Sequence, residues 1–210
     1  MSYQDGMAAI CLDMPPRVPR TEYSADMHWP LIQAVTGLSV GNDSPEEARR
    51  RAGLEFRKRW NYDFVWSILT DRSIFGDMCT KMGHAEYAVD GADYSNIIAC
   101  PFREPEDVLR FDPWEAYGPM DKKVLAQQYE RHYRGNCAAT PDAVNMTGIY
   151  VTCISGLIDI FGWEMLLLAA GTDPQGFGEV ANRYAGWMQQ YFDGLAEADV
   201  PVVMVHDDIV

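Results

Sequence analysis

The chain is short of positive charge. Seventeen lysines and arginines face 31 aspartates and glutamates in 210 residues, a net charge of −14. Nucleic acids and anionic membranes are bound through basic patches, so neither is expected as a partner. Metal-type cysteine spacing is also missing. The five cysteines (Cys11, Cys79, Cys100, Cys137 and Cys153) are odd in number and include no Cys-x-x-Cys pair, which predicts reduced thiols in a cytoplasmic protein. No apolar run is expected to reach the ~18–20 residues that span a bilayer. The opening Met-Ser-Tyr-Gln-Asp-Gly lacks the basic region of a signal peptide. Repeats, low-complexity stretches, the Gly-x-Gly-x-x-Gly fingerprint and the P-loop are absent. What the chain does have is 48% hydrophobic residues, enough for the core of one domain.

The most informative stretch is the last, from Ala198 to Val210. Val200, Val202, Val203, Met204 and Val205 form a β-branched run that reads as a strand buried on both faces. His206, Asp207 and Asp208 follow it. An imidazole and two carboxylates at the carboxyl end of a buried strand mark the place where parallel α/β folds set their active sites. These three are candidate catalytic residues. The plainer reading is that Asp208 caps a helix and His206 packs under a loop. A chain that stops at such a strand leaves an unpaired edge, so the sequence is expected to be the amino-terminal part of something larger.

Earlier segments follow the same logic. Residues 1–16 predict a short helix stopped by Pro15-Pro16. Residues 17–23 predict an edge strand, with Arg17, Arg20 and Glu22 as surface charge or as an anion clamp at a barrel mouth. Ser44-Pro45-Glu46-Glu47 predicts a capped helix start, with Glu47 in a capping box. The helix behind it carries basic residues at 49–51 and 57–59, read as a solvated face. Residues 61–69 predict a second strand opening onto Asp71, a candidate catalytic carboxylate or a simple cap. Residues 83–96, with His84, Glu86 and Asp93, predict an active-site loop in which His84 is a candidate substrate ligand. A hairpin strand is expected near Ile97–Cys100, and helices near Glu104–Leu109 and Asp121–Tyr133, the latter with Val124, Leu125 and Gln128 along one side. Residues 143–150 predict a third strand, which ends at Tyr150, a candidate substrate-binding residue. Cys153 beyond it reads as a buried structural thiol. An apolar helix over Gly162–Ala170 is followed by an amphipathic one starting at Asp173-Pro174. The latter places Phe177, Val180, Ala181, Tyr184, Met188, Tyr191 and Leu195 on one core-facing stripe. Strands alternating with helices predict an α/β fold with a parallel sheet: about half of an eight-stranded (β/α)8 barrel, or a small doubly wound sheet.

The chain resembles the uroporphyrinogen decarboxylase superfamily. The likeness is carried by residues 17–23, by Tyr62-Asp63-Phe64-Val65-Trp66, by the Gly83-to-Leu109 segment, by Thr147-Gly148 and by Val205-His206-Asp207-Asp208-Ile209. It implies a TIM barrel with one of two chemistries. One is metal-free decarboxylation of uroporphyrinogen, in porphyrin biosynthesis. The other is methyl transfer from a corrinoid protein to a thiol activated by zinc. Arg20 stands where the decarboxylases carry an arginine-rich segment, and Asp71 near their aspartate, one residue out of register. The family tyrosine has no counterpart near Gly156. The expectation therefore leans to small-molecule methyl transfer, with zinc ligands falling beyond Val210 and no cofactor within this stretch. The contrasting expectation is a non-catalytic half-barrel that pairs with a second copy as a homodimer.

Overall fold

The computed structural model describes residues 1–22, 25, 28–80 and 100–207. In chain order the elements are α1 (Tyr3–Ile10), α2 (Trp29–Thr36), α3 (Glu46–Arg59), β1 (Phe64–Trp66), a 3-10 turn (Arg72–Phe75), α4 (Pro105–Leu109), α5 (Pro113–Tyr117), α6 (Lys122–Ala139), β2 (Val144–Ile149), α7 (Cys153–Thr172), α8 (Pro174–Glu197) and β3 (Val203–Val205). The barrel expectation is overturned. Among the described residues the strands form one three-stranded sheet, ordered β1-β2-β3, and most of the chain is helical. β1 and β2 run parallel, with Phe64 opposite Val144 and Trp66 opposite Met146.

The shortfall has physical causes. The 17–23 segment contributes a single bridge, Arg20 to Tyr62. Pro201, which has no N–H to give a ladder, holds the last strand to three residues. Of these only Met204 is buried, while Val203 and Val205 are 48% and 50% exposed. The final strand is therefore an edge with one face open, not a strand buried on both faces.

Contacts divide the chain into two compact units. The first comprises Met1–Ser67, Glu130–Thr147 and Val200–Met204; the second comprises Ile68–Tyr129, Gly148–Asp199 and the chain from Val205. In the first, α2 and α3 pack around Ile32, Ala52, Phe56 and Tyr62. Gly37 ends α2 in the left-handed conformation (φ 73°), and its N–H donates to Gln33. The expected capping box at α3 does not form. Pro45 is the cap residue, Ser44 Oγ accepts instead from the Gly41 N–H, and Glu47 pairs with Arg50. α1 ends at Ile10, before the prolines, and buries Gly6, where a Cβ would lie 2.8 Å from Val144.

Asp63 ties this unit together. Its fully buried carboxylate accepts from both Arg17 Nη atoms (2.7 and 2.5 Å), from the Arg20 N–H (2.9 Å) and from the Ser2 N–H (2.7 Å). Burial alone would raise the carboxyl pKa. Arg17 and the two backbone donors outweigh it and hold the group below the usual carboxylate range.

In the second unit α7 and α8 pack together and against α4. An aromatic core fills the space, with Tyr117 and Tyr184 each against both Phe75 and Trp187, and Phe102 and Phe111 packed edge-on against Phe161. Trp187 Nε1 donates to the Gly118 carbonyl at 2.8 Å. Asp173 caps α8 by accepting from the Gly176 N–H, as its Asp-Pro start predicts. α7 is longer than expected. By length and composition it is enough to cross a membrane, with a mean hydropathy of 1.7 over its most apolar stretch, although Asp159 and Glu164 keep any single apolar run short. Its backbone breaks at Gly162 (φ 73°), and it buries Leu157, Ile160, Phe161 and Ala169.

Candidate functional site

Hydrogen bonds beyond the strands place the carboxyl ends of β2 and β3 at one sheet edge. The Tyr150 N–H donates to the Thr70 carbonyl (2.8 Å), and the His206 N–H donates to the Ile149 carbonyl (3.1 Å). These bonds make Tyr150 and His206 neighbours. Their half-buried rings stack with centroids 4.3 Å apart and planes 8° from parallel. Thr152 Oγ1 donates to the His206 carbonyl at 2.6 Å, which fixes the backbone under the imidazole. A phenol and an imidazole held face to face at a strand end are suited to general acid–base chemistry, because imidazole is the side chain that ordinarily titrates nearest neutrality.

The candidate carboxylates have other duties. Asp207 accepts from the backbone N–H groups of Ile154 and Ser155 at 3.1–3.4 Å, at the amino end of α7. It occupies the position an external anion would otherwise take, where the helix dipole favours negative charge. Ser155 Oγ completes this end by accepting from the Thr152 N–H at 2.9 Å. Asp71 caps the 3-10 turn by accepting from the Ser73 N–H at 2.9 Å. Both carboxylates hold backbone donors. Asp208 and His84 lie outside the described residues, as do Glu86, Asp93 and most of the expected 97–100 strand. Cys153 is exposed, not buried. Partial desolvation, helped by the Asp207 carboxylate, raises its thiol pKa, so it stays protonated at neutral pH.

Arg20 and Glu22 do not join this edge of the sheet. Arg20 pairs with Tyr62, just before β1 begins, and its guanidinium lies over the Trp60 ring at 5.6 Å. Glu22 is exposed. Behind the edge, the buried Thr70 hydroxyl and the Tyr129 hydroxyl share a close hydrogen bond. Burial pushes the Tyr129 phenol up to about 12 against the opposing pull of Thr70, so it holds its proton.

The sequence reading missed a second polar group, in the first unit. Ser67 Oγ lies 2.5 Å from His132 Nε2 and accepts from Asn136 Nδ2 at 2.7 Å. Burial lowers the His132 pKa, which favours the neutral ring. Ser67 follows β1 directly, and His132 and Asn136 fall four apart on α6. That helical spacing was the one available signal.

The family to which the chain was likened implies zinc in its methyl-transfer branch. Among the described residues no three His, Cys, Asp or Glu side chains gather as a metal-ligand set. No protein-family model matches the sequence, and comparisons with curated proteins and with solved structures return no match.

Proposed function

We propose that the protein is an enzyme acting on a small molecule at the carboxyl edge of its sheet, with His206 and Tyr150 as the proton-handling groups. The observation that supports this is the stacked Tyr150–His206 pair, held at two adjacent strand ends while the neighbouring aspartates are spent on helix and turn caps. An imidazole clamped by ring stacking and by its own backbone bonds is preorganised, which is what proton transfer in a transition state requires. The finer reading is the chemistry of the uroporphyrinogen decarboxylase superfamily, with corrinoid-linked methyl transfer ahead of uroporphyrinogen decarboxylation. It rests on the likeness of residues 17–23, 62–66, 83–109, 147–148 and 205–209. Arg20 favours the methyl-transfer branch, because one arginine where the decarboxylases carry an arginine-rich segment is poor equipment for gripping a substrate with many carboxylates.

The test has two assays. Protein is mixed with methylcobalamin and mercaptoethanol, and loss of the methylcobalamin absorbance is followed. In parallel it is mixed with uroporphyrinogen, and the carboxyl count of the product is read by mass. Turnover in the first assay is expected, with His206→Gln reducing it about 10²-fold. Turnover in the second assay alone would move the protein to the decarboxylase branch. Inactivity in both would sink the family reading. Activity that His206→Gln and Tyr150→Phe leave unchanged would sink the site.

A further inference from the structure

We infer that the first unit carries a separate binding site for a small organic anion, a phosphate or carboxylate borne on a flat ring. The site is a cavity of about 510 Å³ between α3 and the last turns of α6, a volume typical of small-molecule pockets. It goes beyond the proposed function and does not depend on it.

Three arginines of α3 (Arg49, Arg50 and Arg57) line the cavity, and among the described lining residues Glu46 is the one carboxylate. This runs against the charge of the molecule. A chain of net charge −14 with 17 basic residues places six of them in the 14 residues of α3. Arg50 is engaged by Glu47 through two hydrogen bonds of 2.7 and 3.1 Å. Arg49 is different. It is half-buried, and its Nε–H is buried without an acceptor. Arg49 thus lines the cavity without a carboxylate partner on its Nε–H, and planar oxyanions suit guanidinium geometry best.

Trp29 of α2 supplies the ring-binding surface. Trp29 lines the cavity, and its indole is fixed by Nε1 donating to Asn42 Oδ1 at 2.6 Å. A clamped indole presents a flat face on which a ring can stack. Gly53, also in the lining, leaves open space, since a Cβ built there meets nothing within 4 Å.

Calorimetric titration with 1-naphthyl phosphate, and separately with inorganic phosphate, tests the site. Naphthyl phosphate is expected to bind at one saturable site, more tightly than inorganic phosphate. Arg49→Gln should weaken it about tenfold, the loss of one charge-assisted contact. Gly53→Leu should abolish binding by filling the cavity, and because Gly53 sits inside a helix this change also raises helix propensity, so the variant is expected to fold. Arg51→Gln, on the same helix but outside the cavity lining, should bind as the parent does. Absence of saturable binding would mean that solvent alone fills the cavity and would overturn the proposal. So would unchanged binding in Arg49→Gln and Gly53→Leu, or an equal loss in Arg51→Gln, which would reduce the effect to the general charge of α3. Inorganic phosphate binding as tightly as naphthyl phosphate would remove the ring from the proposal.

Discussion

At Asp63 one buried carboxylate meets four donors from three places in the chain, so its removal should be felt more than that of any surface charge. Asp63→Asn keeps the shape but turns one acceptor oxygen into an amide that faces donors. A loss of about 2–3 kcal/mol is expected in urea unfolding, in line with hydrogen bonds to charged groups. The sign of the pH effect follows from the lowered pKa. The carboxyl is below its usual value when folded and at that value (~3.9) when unfolded, so its contribution is complete above ~3.9 and disappears as pH falls through the folded value. Asp63→Asn should therefore lose the parent's extra stability at neutral pH and differ less from it in strong acid. His132 acts in a milder range. Burial lowers its pKa from the ordinary ~6.5, so the folded state resists the proton that the unfolded state accepts. Its contribution is complete above ~6.5 and falls as the pH drops below that value. A His132→Gln variant should show a flatter stability profile between pH 7 and 5, and an unchanged slope would show that His132 does not titrate against folding.

The element that most constrains the second unit is the α7–α8 pair, and its tightest point is Gly156 against Tyr184. A Cβ at Gly156 would lie 1.7 Å from the Tyr184 hydroxyl oxygen, far inside contact distance. Gly156→Ala should cost about 1–3 kcal/mol as overpacking, read as a lower melting temperature. The Tyr184 hydroxyl is itself buried without a hydrogen-bond partner. Tyr184→Phe should therefore be neutral or slightly stabilising, within about 1 kcal/mol, because it removes a polar group that gains nothing from burial. In the double variant part of the Gly156→Ala loss should be recovered, and strict additivity would show that the two residues do not meet. These elements also show what the sequence made legible. Five members of the α8 stripe (Val180, Tyr184, Met188, Tyr191 and Leu195) are buried as their spacing predicts, because one long amphipathic face has a single way to pack. α6 was misplaced by one position. Val124 is 46% exposed, while Leu125, Ala126 and Tyr129 are buried, since a weak apolar stripe leaves its facing to tertiary contacts. β3 misled for a different reason, because valines at an open edge have the same composition as valines in a core. The cap formed by Asp207 was invisible because the helix end it serves lies far back in the sequence, and Ser67–His132 was invisible because β1 and α6 meet only in the fold.

At the scale of the whole molecule, charge sets the behaviour. The net charge of −14 at neutral pH keeps copies apart, and the sequence isoelectric point is about 4.5. Each unit exposes apolar side chains. Leu12, Met14 and Val18 are 94%, 95% and 88% exposed, and Trp163, Leu167, Val203 and Val205 are about half exposed. As pH falls toward 4.5 the repulsion vanishes while these side chains stay where they are, so association is expected to peak near that pH. Unfolding should come later on the same descent, because Asp63 keeps its stabilising charge until the pH drops below the usual carboxylate range. Static light scattering and near-ultraviolet circular dichroism, followed together from pH 7 to 2.5, separate the two events. Scattering should rise first, with the dichroism of the packed aromatic rings intact, and should fall again as the chain gains positive charge below pH 4. Dichroism lost before scattering rises would mean that acid opens the fold first and that association is a property of unfolded chains. Replacing Val203 with Lys distinguishes the two further. It adds charge to the open face of β3, where the side chain is half exposed, so it should lower the scattering peak if folded molecules associate and leave it unchanged if unfolded ones do.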